Sequence, residues 1–268
     1  MKNIWIERVK ADSKRYIREE NERKQNYYKN RYGRTKTYEF PPKDKINFGK
    51  YFYFHKPVVE IFDLSKIALA VYPVMCLKAD FIYNTWFQIP QEEIAVKSGL
   101  SINTVNKALQ ELEFKGLLEK EKQNSGRTHY YVYKVEFIRK SEIQEYEGDF
   151  ITFNQSIVDS GVWAGLKLRS KALYLAFRTT AFHDIEPLFY DEEIFDGSYI
   201  NYNQLIKNHI DNYVNRKFDM CKSSISALCE LVGIDSSNIS PILRQLENHG
   251  LIKKYDEVFE VYLKPKIS

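Results

Sequence analysis

The chain has 268 residues, 44% hydrophobic and 15% aromatic, which is apolar material for more than one core. Its formal charge of +4 is uneven, with 15 Lys/Arg against 7 Asp/Glu in the first 55 residues and 25 against 29 in the rest, so one arm is basic and seeks a polyanion. A bilayer span is not expected, because the longest apolar run, Ile67–Leu77, falls short of about 20 residues; a secretory leader is not expected, because Met1–Arg8 has no apolar stretch; and Cys76, Cys221 and Cys229 stand at no zinc spacing, so reduced core thiols in a cytoplasmic chain are the expectation.

Residues 1–47 read as a basic N-terminal arm. Trp5, Val9 and Tyr16 are spaced for a first helix. Lys24–Tyr38 then carries five cations, four tyrosines and no carboxylate, a composition that gains by counterion release on phosphate or in the minor groove; a solvated tail is the alternative use. Pro41-Pro42 closes the arm. From Phe48 the chain turns apolar, and the run Ile67–Leu77, interrupted by Pro73, predicts a buried core helix in a first domain spanning 48–140.

Gln91–Ser98 predicts a short helix stopped by Gly99, and Ser101 is placed to cap the next one. In that second helix Val105, Ala108, Leu109 and Leu112 make an inward stripe, which turns Asn103, Thr104, Asn106, Lys107 and Gln110 outward. Gly116 ends it. Leu117-Leu118 begins a strand that runs through Asn124–Arg127 into Tyr130–Val135, so two strands flank a short turn bearing Lys122, Asn124, Arg127 and Thr128.

The stretch Gly99–Leu118 aligns without a gap on Gly233–Ile252, an offset of 134 residues, with six identities that include both glycines, Leu109/Leu243 and Leu112/Leu246. Residues 141–268 therefore read as a second copy. Its first helix is expected at Ser170–Thr180. An acidic insertion follows, then an amphipathic segment, Tyr202–Phe218. The second outward face holds Ser236, Ser237, Asn238, Ser240 and Arg244, with Pro241 where the first copy has Lys107; its hairpin turn, Tyr255–Val258, carries Asp256 and Glu257 and should repel phosphate.

These features resemble winged helix-turn-helix domains, and the run Ser101–Leu118 looks like the recognition helix and following strand of GntR-type regulators. The resemblance implies a mainly α fold with small β-wings, two winged helix-turn-helix domains in tandem. It assigns Ser101, Asn103, Thr104, Asn106, Lys107 and Gln110 to the major groove of double-stranded DNA and Lys122, Asn124, Arg127 and Thr128 to the wing. Ser237, Asn238 and Arg244 are the counterparts in the second copy, where a protein interface is the alternative. The expected function is a sequence-specific transcriptional regulator, with a homodimer admissible. Tandem winged helices with unequal halves also resemble plasmid or phage replication initiators, and a DNA-bound adaptor docking a replication or segregation partner is a third reading.

Enzymatic chemistry is not expected. Asp191-Glu192-Glu193, near His183-Asp184, reads as a solvated acidic loop, since adjacent carboxylates point apart. His55, His129, His209 and His249 are isolated and read as surface or boundary residues. No glycine-rich phosphate loop or nucleophile elbow occurs, so no cofactor is expected.

Overall fold

Alternating aromatics make the first strand: Phe52 and Phe54 are buried along β1 (Tyr51–His55), and Pro57 then opens α1 (Pro57–Glu60) in the first turn, where its missing N–H costs nothing. The computed structural model describes residues 38–81, 84–125, 128–136, 150–182, 217–255 and 258–266. Outside these lie the basic arm up to residue 37, the acidic insertion with its carboxylates, the amphipathic segment to residue 216, and Arg127, Asp256 and Glu257.

Ser65 caps α2 (Lys66–Cys76), its Oγ accepting from the Ala68 N–H at 3.3 Å. Residues 68–76 of this helix are all buried, because α2 packs against both halves of the molecule and has no solvent side. There follow β2 (Phe87–Gln88), α3 (Gln91–Ser98), α4 (Ile102–Phe114), β3 (Leu118–Ser125) and β4 (Thr128–Val135). The three strands form an antiparallel sheet in the order β2-β4-β3. Gly99 and Gly116 stand at φ +69° and +70°, the left-handed conformation that ends each helix at the positions read from the sequence.

The second half repeats this order. It runs β5 (Phe150–Asn154), α5 (Gln155–Asp159), α6 (Val162–Gly165), α7 (Leu168–Thr180), β6 (Phe218–Cys221), α8 (Ile225–Leu231), a 3-10 turn at Ser236–Asn238, α9 (Ser240–Asn248), β7 (Ile252–Tyr255) and β8 (Val258–Tyr262). Its sheet has the matching order β6-β8-β7. The repeat reaches beyond the stretch at offset 134. Tyr51–Glu60 aligns without a gap on Phe150–Asp159 at an offset of 99, with Phe54/Phe153 and Val59/Val158 identical.

Strands β1 and β5 pair antiparallel with Tyr53 opposite Thr152. Those two residues are each other's equivalents, so the pair is centred on a local two-fold axis between the copies. Contacts on either side are reciprocal in place. A Cβ on Gly99 would stand 2.1 Å from the Ala164 carbonyl oxygen, and the Gly233 carbonyl accepts from Lys66 Nζ at 2.9 Å. Glu111 accepts from the Ser65 N–H and hydroxyl at 2.6 and 2.5 Å, tying α4 to the start of α2. Its equivalent, Gln245, accepts from the Lys167 N–H at 3.2 Å and the Ser170 hydroxyl at 2.6 Å, tying α9 to the start of α7.

Apolar side chains from both sides of residue 140 form one continuous buried cluster, with α2 packed on α7 and Phe153 against Trp163 and Tyr174. Polar groups join it in pairs. Arg178 and Asp219, each only 2% exposed, meet at 2.7 Å, and Arg178 also donates to the Thr152 carbonyl at 2.8 Å, so one guanidinium ties α7 to β6 and β5. Lys97 bridges Asp159 at 3.0 Å and Glu93 at 3.3 Å, tying α3 to α5. Cys76, Cys221 and Cys229 are buried free thiols.

Three expectations change. The described chain is mixed α/β rather than mainly α, because β1 and β5 add a third small antiparallel sheet to the two hairpin sheets. His55 is fully buried instead of lying at the surface: it ends β1 between the rings of Phe81 and Phe150, at 4.8 and 4.3 Å, and its Nδ1 meets the Tyr72 hydroxyl at 3.0 Å. Burial lowers its pKa from 6.5 to about 4. Ser237 and Asn238 sit on the 3-10 turn ahead of α9 and not on that helix. Pro241 is the physical reason: its ring would collide with the carbonyl four residues back if the helix began earlier, so the helix starts at Ser240 with Pro241 in its first turn.

Candidate nucleic-acid interface

Helix α4 is held from behind by its buried stripe, Val105, Ala108, Leu109 and Leu112, and by the Glu111 clamp. Outside, its first turns present amides, hydroxyls and one amine beside the half-exposed Ile102, and Glu113 and Phe114 stand exposed at its end. Ser101 caps the helix, its Oγ accepting from the Thr104 N–H at 3.3 Å and meeting Thr104 Oγ1 at 2.8 Å. Asn103, Lys107 and Gln110 are exposed; Thr104 and Asn106 are half-buried. Asn106 Oδ1 accepts from Gln91 Nε2 at 2.8 Å, so a residue of α3 fixes the orientation of this amide and leaves its N–H2 to donate outward. Gln91 is not among the expected site residues. Its position, at the start of the preceding helix, is the only signal the sequence holds.

The hairpin β3–β4 is a ribbon with two chemically different faces. Leu118 and Val135 are paired and buried, so the period-2 alternation puts Lys120, Lys122 and Asn124 of β3, with His129, Tyr131 and Tyr133 of β4, on the face that continues outward from the core. Glu119, Glu121 and Gln123, with Tyr130, Val132 and Lys134, lie on the other. On the first face Lys120 Nζ stands 4.1 Å over the Tyr131 ring, and Asn124 Oδ1 meets His129 Nδ1 at 2.5 Å. Lys122 and Asn124 are exposed. Thr128 begins β4 opposite Ser125; the expected phosphate contact by Arg127 falls outside the described residues. Lys120, His129 and Tyr131 are additions to the expected set, and the alternation from Leu118 onward is what reveals them.

The equivalent surface of the second copy differs in three respects. Asp235 stands where Ser101 stands, and hydrogen bonds from the Ser237 N–H and hydroxyl, at 2.9 and 2.8 Å, hold its carboxyl below the usual carboxylate range. A phosphate approaching the start of the second helix therefore meets an anion. Helix α9 has 9 residues against 13 for α4. Strand β7 has 4 residues against 8 for β3, so its hairpin ends about 13 Å sooner, at roughly 3.3 Å per residue. Ser237, Asn238 and Arg244 are all exposed, but no long cationic ribbon stands beside them among the described residues.

A family model described as a helix-turn-helix domain matches residues 63–118, the span from the start of α2 to the first residue of β3. This segment is a helix-turn-helix, the class of module that binds DNA. No curated protein and no solved structure matches the chain. Among the described residues no helix is long and apolar enough to cross a membrane, and no group of three or more His, Cys, Asp or Glu is placed to hold a metal ion.

Proposed function

We propose that both copies are winged helix-turn-helix units, and that the first reads double-stranded DNA with α4 in the major groove and β3–β4 on the adjoining backbone. The carrying observation is that the amide and hydroxyl face of α4 is followed by a hairpin whose cationic face continues from the same core, while its carboxylates, Glu119 and Glu121, lie on the reverse. Amides and hydroxyls pair with base edges, and lysines neutralise phosphates. The second copy, with a carboxylate cap and a short hairpin, supports assembly more than readout.

The biological reading we favour is a sequence-specific transcriptional regulator. A replication initiator is the second reading, and one observation favours it: two copies of the unit pair about a local two-fold within a single chain, in line with the tandem arrangement that resembles plasmid initiators. Footprinting on DNA flanking the chain's own gene separates them. One operator overlapping a promoter supports the regulator; directly repeated sites beside an AT-rich segment support the initiator; absence of any protected site at moderate salt removes both.

A further inference from the structure

Each copy has a cleft at the same place, between the end of its second helix and the base of its hairpin. In the first copy the cleft is about 590 Å³ and is bordered by Glu113, Glu119, Glu121 and Glu136, with Lys120 also at its edge. In the second it is about 500 Å³ and is walled by Lys253, Lys254, Lys264 and Lys266 over Ile252 and Pro265. The linings correspond at offset 134: Glu113 with Glu247, Gly116 with Gly250, Leu118 with Ile252, and Glu119 with Lys253. One architectural cleft thus occurs twice in the chain with opposite charge.

Beside the acidic cleft stands Phe114, the last residue of α4, 87% exposed. Its equivalent in the second copy is Asn248. A single exposed aromatic is ordinary, but this one is held out by an ordered helix end and flanked by Glu113, while the same chain carries an apolar-floored cleft with lysine walls.

We propose that Phe114 of one molecule enters the lysine-walled cleft of a second copy of this chain, with Glu113 and Glu121 of the first facing the lysines of the second. Glu119 and Glu136 are both already within 2.8 Å of Lys134, so Glu113 and Glu121 are the carboxylates assigned to the partner. The two surfaces differ, which makes the contact head-to-tail: a pair keeps one unused lysine-walled cleft and one unused Phe114, and copies add without closing unless the rotation happens to close a ring. Like charges block pairing of two acidic or two basic clefts, so orientation is set electrostatically. Glu121 lies on the face of β3 opposite Lys122 and Asn124, whereas Phe114 follows Lys107 and Gln110 on one stripe of α4, so docking covers the C-terminal end of the helix face proposed to read DNA and leaves the hairpin's lysine face open. The inference does not depend on that reading.

Sedimentation equilibrium of the full chain tests it, across protein concentration and at two ionic strengths. The expected result is a mass that climbs past that of one chain with concentration and falls back when salt shortens the screening length from about 10 Å to about 3 Å. Phe114→Ala, and separately the pair Lys264→Glu with Lys266→Glu, should each weaken association about thirtyfold. The decisive measurement mixes these two variants: one supplies an intact cleft and the other an intact Phe114, so together they should form a one-to-one complex and stop there. All three side chains are exposed, and cooperative melting of each variant confirms its fold; Lys254→Glu serves if the lysine pair does not fold. A single-chain mass at every concentration overturns the proposal, as does association that survives both variants or a mixture with no new complex. Loss of duplex affinity in the lysine variant with association unchanged assigns the cleft to nucleic acid instead, and also overturns it.

Discussion

Glu111 and Gln245 sit at equivalent places in the two copies and make the same clamp, on the start of α2 and of α7, whereas Ser101 and Asp235, equally equivalent, give one segment a neutral start and the other an anionic one. The frame of the unit has been kept where its hydrogen bonds hold helices together. Its surface has diverged at the cap of the second helix and in the length of the hairpin. Local two-fold pairing through β1 and β5 makes this a controlled comparison, because each position has a partner in the same molecule against which a substitution can be judged.

The largest effect is expected where the copies differ inside the core. Arg178 and Asp219 form a buried ion pair in the second half, while the corresponding turn of α2, counted from the helix caps, carries Cys76. Arg178→Ala removes the guanidinium from a buried carboxylate and should cost about 3–5 kcal/mol in urea unfolding, whereas replacing both partners with apolar residues of similar volume should recover most of it. If the double replacement is as damaging as the single, the pair is needed for geometry and not only for charge balance.

Next in size is a pH effect confined to one copy. His55 ends β1 and Asn154 ends β5 at the equivalent position, where it caps α5 by accepting from the Ser156 N–H at 2.9 Å. Burial holds His55 at about 4 against 6.5 unfolded, so the folded state favours its neutral form. Its contribution is therefore complete above pH 6.5 and is lost as pH falls toward 4, a change of about 3 kcal/mol by linkage. His55→Asn, which copies the other half, should flatten stability between pH 6.5 and 4; an unchanged slope would place the acid sensitivity elsewhere.

Glycines sharpen the comparison further. At Gly99 an added Cβ meets the Ala164 backbone, but at Gly233 it meets only the flexible end of Lys66, at 3.8 Å. Both need left-handed φ, so Gly233→Ala should cost about 1–2 kcal/mol and Gly99→Ala about 1–3 kcal/mol more, read as the difference in thermal unfolding free energy. Equal costs would mean that α6 shifts freely away from α3.

The helix-turn-helix was legible because its signals are local. Ser101, Gly99, Gly116 and the stripe from Val105 to Leu112 lie within one short stretch, and each acts through backbone conformation or helical period. Pairing of β1 with β5 was not legible, since it joins segments about 99 residues apart and Phe52-Tyr53-Phe54 alone reads as an apolar stretch. Its own repeat signal, Phe54/Phe153 and Val59/Val158, is too sparse to find without knowing the register. The burial of His55 depends on that pairing, as does the place of Arg178 beside Thr152. At the site, the charge of the second turn was readable, but the shortness of its hairpin was not, because strand ends are set by pairing rather than by composition.

The smallest expected effect bears most directly on function, since it asks whether divergence of the surfaces is divergence of role. Lys107→Ala or Gln110→Ala in the first copy should cost about 1–3 kcal/mol of specific binding per lost base contact, measured by titration against the protected site. Arg244, the equivalent of Gln110, should cost much less when changed to Ala, although an arginine is ordinarily the stronger base reader. The reason lies beside the helix and not in it. A reading helix stays in the groove only if its flanking hairpin reaches the backbone, and β7 stops where β3 continues through Lys122 and Asn124. Lys122→Ala separates readout from anchoring: it should weaken binding to all sequences alike and lower the salt slope by about one unit. Should Arg244→Ala cost as much as Lys107→Ala while the salt slope is untouched, both helices read bases, and a single chain spans two sites about 34 Å apart, as two half-sites one helical turn apart require.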